Sequence, residues 1–171
     1  MGIGEALPEQ SSTKLERAQW DYDRALLLQR QAVQAVRESD EAVTAARKKL
    51  EAAKREAAAA IPVDRSQREC IGGMDPMDDE HRELKPNGQQ QDYVILSEAE
   101  RAKGFVKPVR RSYVHLKCGI RTPMSMAVAE TYARDPGFYS GAFCCGCGRH
   151  FTFGQPDGEF VWDCTGERVG A

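Results

Sequence analysis

Nowhere in this sequence do roughly 18 apolar residues run together, the span a helix needs to cross a bilayer. The stretch from Met1 to Gln10 has no basic n-region and no apolar h-region, so it does not read as a secretory leader. The expectation is a protein that is neither secreted nor membrane-bound and that works in a reducing compartment. There is no glycine-rich phosphate loop, no Ser/His/Asp pattern, and no defensible carboxylate pairing among Glu130, Asp135, Asp157 and Asp163. The expectation is therefore that it is not an enzyme. Charge of one sign is also lacking: the formal net charge is −2, so any polyanion binding would have to come from a local patch.

Glycine and proline are both absent from Thr13 to Ala60, where Ala, Arg, Lys, Glu, Gln and Leu dominate. That composition favours a continuous helix, about 70 Å long at 1.5 Å per residue. Thr13 reads as its cap with Glu16 as capping-box partner, and Ile61-Pro62 ends it. Residues 1–12 read as a disordered tail. One heptad position carries Leu15, Tyr22, Gln29, Val36, Val43, Leu50 and Ala57, and the other carries Ala18, Ala25, Ala32, Ser39, Ala46, Ala53 and Ala60. A mostly large row beside a wholly small one reads as the seam of a close, often antiparallel, coiled coil. The chain offers no second helix of that length, so the expected partner is another copy. The competing reading is a single solvated helix whose alanines reflect composition alone.

Residues 61–91 read as a linker, with turn signals at Gly72-Gly73 and Pro86-Asn87-Gly88 and with His81 exposed in an acidic stretch. Residues 92–171 read as a small α+β domain. Short strands are expected around Tyr93–Leu96, Arg111–Leu116, Phe151–Phe153 and Glu159–Trp162. Ser97 reads as the cap of one helical turn. Thr122-Pro123 reads as the cap and first residue of a helix that stops at Asp135-Pro136-Gly137.

Chemistry concentrates in this domain. His115-Leu116-Lys117-Cys118-Gly119 and Cys144-Cys145-Gly146-Cys147-Gly148 share the pattern [His/Cys]-x-x-Cys-Gly. Each x2 spacing lets two side chains reach one ion from a single turn, and the glycine lets the backbone turn tightly. His115, Cys118, Cys144 and Cys147 form a complete N/S set, as in a closed structural Zn²⁺ site. Cys145 and His150 stand close enough to compete, and His150 can replace His115 in an alternative set. Buried reduced thiols, an iron–sulfur cluster and a redox CxxC are the other readings. Cys70 and Cys164 read as bystanders. A zinc deaminase is disfavoured, because it needs His-x-Glu and His115 is followed by Leu116-Lys117.

A second candidate is the basic stretch 101–121, which has no acid between Ala102 and Arg121. Lys107, Arg110, Arg111, Lys117 and Arg121, interleaved with Phe105 and Tyr113, suit phosphate contacts beside a zinc knuckle. The bland alternative is a solvated edge that balances nearby acids.

Several segments together carry a resemblance: Val114-His115-x2-Cys118-Gly119, Ala129 to Pro136, Phe138-Tyr139, Phe143-Cys144-x2-Cys147, His150-Phe151 and Glu159 to Trp162. The chain from Phe105 to Gly170 resembles small tailed-bacteriophage proteins with a zinc-knuckle C-terminal domain, a family with no assigned activity. The resemblance implies a setting, host cytoplasm or virion, and a structural or assembly role; it leaves the long helix untouched. The expectation taken to the structure is an α+β chain: a long coiled-coil-like N-terminal helix, then a small zinc-ribbon-like domain with one helix. Its expected function is non-enzymatic interaction, and the competing function is nucleic-acid binding through 101–121.

Overall fold

The computed structural model describes residues 13–170. The chain divides into two compact units at the Leu50/Glu51 junction.

The described residues of the first unit are helical. Helix α1, Lys14–Ala59, starts in this unit and its last turns belong to the second. Thr13 Oγ1 accepts from the Glu16 N–H at 3.3 Å, which satisfies one of the donors that a helix start leaves open. Side-chain pairs one turn apart add small increments: Gln19–Asp23 at 3.1 Å, Gln34–Glu38 at 2.9 Å and Arg37–Glu41 at 3.1 Å. Tyr22, Val36, Val43 and Leu50 of the large seam row are 64%, 63%, 50% and 55% exposed, so this row is not covered within the described chain. The Leu15 side chain lies outside the described ones, as does the expected tail 1–12.

The second unit is a set of short antiparallel ladders around one helix. Strands β1 (Arg68–Cys70) and β2 (Val94–Leu96) pair with Cys70 opposite Val94. Ser97 then caps the short helix α2, Glu98–Arg101, by accepting from the Glu100 N–H at 3.3 Å. Strands β3 (Ser112–His115), β4 (Arg121–Pro123) and β7 (Phe160–Trp162) form a three-stranded sheet in the order β4-β3-β7. Strands β5 (Gly141–Cys144) and β6 (Arg149–Thr152) make a hairpin. Helix α3, Met126–Arg134, carries Ala129, Thr131, Tyr132 and Ala133 inward. The core joins Tyr113, Tyr132, Cys144, Phe151, Phe160 and Trp162.

Two local expectations are corrected. The stretch 61–91 is built into the second unit rather than bridging it to another domain. It contributes β1, a 3-10 turn at Asp79–Arg82 and the bridge from Leu84 to Gln90. Cys70 and His81 are buried. The organiser is Asp92, outside the stretch: its carboxylate accepts from the N–H groups of Gly72 at 2.7 Å and Tyr93 at 2.8 Å. His81 is held in turn, its carbonyl accepting from the Asp92 N–H at 3.0 Å. Second, Thr122-Pro123 does not open α3. Both residues lie in β4, an edge strand where a missing N–H does no harm, and Ser125 caps the helix by accepting from the Val128 N–H. The Thr122 hydroxyl is drawn instead to the Cys145 N–H at 3.1 Å.

The end of α1 is closed by a residue from α3. A helix terminus leaves carbonyls without partners, and α1 has no basic residue in its last turn. Arg134, the last residue of α3, supplies the missing charge. Its Nη1 donates to the Ala58 carbonyl at 2.9 Å and its Nη2 to the Ile61 carbonyl at 3.0 Å. Glu100 accepts from Arg134 Nε and Nη2 at 3.2 and 3.0 Å, and Lys103 also pairs with it. Both the Arg134 and Glu100 side chains are fully buried.

Candidate metal centre

Two hairpins meet at the site, and they have the same local build. Each first donor ends a strand: His115 ends β3 and Cys144 ends β5. The carbonyl of each accepts from the N–H of the glycine four residues on, Gly119 and Gly148, both at 2.8 Å. Those glycines have φ of +70° and +63°, a left-handed conformation that a Cβ would strain. The repeated pentapeptide is thus one turn made twice. In the first turn the Ile120 N–H donates to the Cys118 sulfur.

The structure brings His115, Cys118, Cys144 and Cys147 together, with all four donor atoms within 4.8 Å of one another. Cys118 Sγ lies 3.4 Å from His115 Nδ1 and 3.4 Å from Cys144 Sγ, and Cys147 Sγ lies 3.6 Å from His115 Nδ1. Metal–sulfur and metal–nitrogen bonds of about 2.3 and 2.0 Å give tetrahedron edges of roughly 3.5–3.8 Å. The observed edges fit one ion at the centre of the four donors.

The outer partners fit as well. His115 Nε2 lies 2.8 Å from the Asp157 carbonyl. A carbonyl only accepts, so Nε2 carries the proton and Nδ1 turns its lone pair to the sulfurs. The imidazole is fully buried, stacked on Phe160 at 4.6 Å between ring centres with Phe151 at 4.4 Å. Lys117 pairs with the Asp157 carboxylate at 2.7 Å, which pins the acceptor loop and holds that carboxyl below its usual value. The thiols differ in electrostatics. Cys118 is drawn down to about 7, first by the Ile120 N–H and then by its neighbours in the cluster. Cys147 is pushed up to about 11 by lost solvation and by the sulfurs of Cys144 and Cys118. Three sulfurs this close cannot all ionise without a cation among them, so thiolate formation and metal binding are linked.

The competitors face elsewhere. Cys145 Sγ lies 3.4 Å from the Thr122 hydroxyl, on the other side of its hairpin. His150 Nε2 meets the Tyr93 hydroxyl at 3.1 Å. The residues that sequence reasoning missed are Asp157, which acts through its backbone carbonyl, and Phe160. Neither has a local signal, because only the pairing of β7 with β3 puts them beside His115.

The basic stretch is not one surface of free cations. Arg110 pairs with Glu167 at 2.6 Å and lies over the Trp162 ring; Arg121 pairs with Asp163 at 3.4 Å; Lys117 is committed to Asp157. Lys107 and Arg111 have no ion pair among the described residues. Lys107 and Arg110 line a cavity of about 230 Å³ with Tyr132, Trp162 and Glu167. No helix of the described residues is long and apolar enough to cross a membrane.

No family model, curated protein or solved structure matches this chain.

Proposed function

We propose that this chain is a non-enzymatic, zinc-stabilised interaction protein whose long helix joins copies of the chain. The observation that carries the reading is the closed cluster of His115, Cys118, Cys144 and Cys147. Four protein donors complete a tetrahedron and leave no position for water, which distinguishes a structural zinc from a catalytic one. One imidazole with three thiolates suits Zn²⁺, which prefers N/S donors at these distances. The metal's task in this unit is to tie the β3–β4 hairpin to the β5–β6 hairpin. Because the assembled site does not exist in the unfolded chain, a bound metal supplies folding free energy to this unit.

The interaction part of the reading rests on α1. Its large heptad row faces solvent at Tyr22, Val36, Val43 and Leu50, and such a row gains from burial against a partner. The setting, a tailed-phage particle or its assembly in the host cytoplasm, rests on the sequence resemblance alone. Nucleic-acid binding through 101–121 is the weaker reading, because Arg110, Lys117 and Arg121 are already engaged by acids.

The test has two arms. Protein prepared without chelators is expected to carry about one Zn²⁺ per chain by metal analysis, following the four-donor count. It is expected to sediment as an oligomer. A folded protein with no zinc would overturn the metal assignment. Turnover that disappears on chelation while the fold survives would overturn the non-enzymatic reading.

A further inference from the structure

The size pattern of the α1 seam and the charges on one of its flanks single out one way of joining two copies. Resting on the self-association proposed above, we propose that α1 pairs with α1 of a second copy in antiparallel orientation, in the register that sets Gln29 against Ser39. Gln29 is the one polar residue in the large row, and Ser39 is the one polar residue in the small row. An antiparallel seam sets large-row positions against small-row positions. With Gln29 on Ser39, Tyr22 meets Ala46, Val36 meets Ala32, Val43 meets Ala25 and Leu50 meets Ala18. Every large side chain then faces a small one, the two polar residues face each other, and the backbones can approach closely.

The charges on the flank before the large row agree with this register. The positions just before the large row carry the charged Lys14, Asp21, Lys49 and Glu56 at the two ends and the apolar Leu28, Ala35 and Ala42 between them. In this register Lys14 comes opposite Glu56, and Asp21 opposite Lys49. Two-fold symmetry forms each pair twice. A slip of one heptad in one direction sets Lys14 against Lys49 and Gln29 against Ala32. A slip in the other sets Asp21 against Glu56 and Gln29 against Ala46. A parallel pair in register stacks Tyr22 on Tyr22 and brings Lys49 beside Lys54. All four flanking charges are exposed, and none has an ion pair among the described residues. By contrast, Arg37–Glu41 and Lys54–Glu51 are already paired within the helix. The occupant that matches this stripe in size, polarity and charge is the same stripe running the other way.

The experiment uses the full chain with its metal. Replacing Tyr22 by the photo-cross-linker benzoylphenylalanine is expected to capture the peptide around Ala46 of the second copy. Capture around residue 22, or elsewhere on the chain, overturns the orientation or register and leaves self-association standing. A monomer at every concentration overturns both. The second arm is charge reversal, with helix content checked by circular dichroism. Lys49→Glu alone, or Asp21→Lys alone, sets like charges together twice and is expected to raise the dimer Kd by roughly tenfold at low salt. Asp21→Lys combined with Lys49→Glu is expected to restore it. Failure of the double exchange to restore association overturns the register.

Discussion

Arg134→Ala is expected to be among the most damaging single changes outside the metal cluster. The guanidinium is fully buried and donates to the Glu100 carboxylate and to the carbonyls of Ala58 and Ile61. Truncation leaves Glu100 with Lys103 and the Asp64 N–H, leaves the Ala58 carbonyl with the Ile61 N–H alone, and removes the donor to the Ile61 carbonyl. Breaking one side of a buried ion pair costs about 3–5 kcal/mol. A domain of this size has about 5–15 kcal/mol in total, so the variant should lose at least about a fifth of its stability. The double change Arg134→Met with Glu100→Leu separates the two contributions. Replacing both charges by apolar groups is close to neutral for the pair itself. The Ala58 carbonyl keeps the Ile61 N–H at 3.2 Å, but the Ile61 carbonyl still loses the Arg134 donor, at about 1–3 kcal/mol if it stays buried. The double variant should therefore recover part of the loss and no more. Urea unfolding followed by far-ultraviolet circular dichroism, with zinc in excess, measures all of this. A loss below about 1 kcal/mol for Arg134→Ala would refute the buried clasp, since surface ion pairs fall in that range. Full recovery in the double variant would refute the capping role.

The remaining predictions concern the site and its surroundings. Cys144→Ala is expected to abolish stoichiometric zinc and to destabilise the second unit while the helical signal of residues 14–50 persists; unchanged metal content by mass spectrometry would contradict the donor assignment. Cys145→Ala is expected to leave metal content at about one ion per chain, since its sulfur faces Thr122; loss of zinc would reinstate it as a donor. Gly88→Ala should cost stability, because a Cβ there would stand 1.7 Å from the Gly148 carbonyl oxygen; a melting temperature equal to the parent's would show that the contact yields freely. Glu100 has its carboxyl value lowered from 4.5 by Lys103 and Arg134, whose hydrogen bonds outweigh its burial. A depressed carboxyl stabilises the fold above its unfolded value and loses that contribution as pH falls through its folded value. The stability gap between the parent and Glu100→Gln should thus be level above about pH 5 and shrink below it. A gap that stays level down to about pH 2 would exclude this linkage.

Local sequence determined the elements whose signal repeats along the chain. Forming α1 needs only residues of high helix propensity without Gly or Pro, capped at Thr13 and stopped at Ile61-Pro62, so its span was legible within one or two residues. The four donors were legible because two strand-ending turns carry the same pentapeptide, and a turn is a local object. Tertiary structure decided whatever depends on a partner distant in sequence. The Thr122-Pro123 pair has the chemistry of a helix start, but pairing with Ser112–Val114 makes it a strand. Cys145 is indistinguishable from its neighbours by spacing, and only the hairpin's pleat turns it towards Thr122 rather than His115. Lys117 reads as a cation open to phosphate until Asp157 is brought to it, and the burial of Arg134 depends on Ala58 and Glu100, which enclose it from distant parts of the chain. The physical reason is the same in each case. Propensity and spacing act over one turn, whereas burial, charge pairing and side-chain direction are set by residues tens of positions away, once the core has closed.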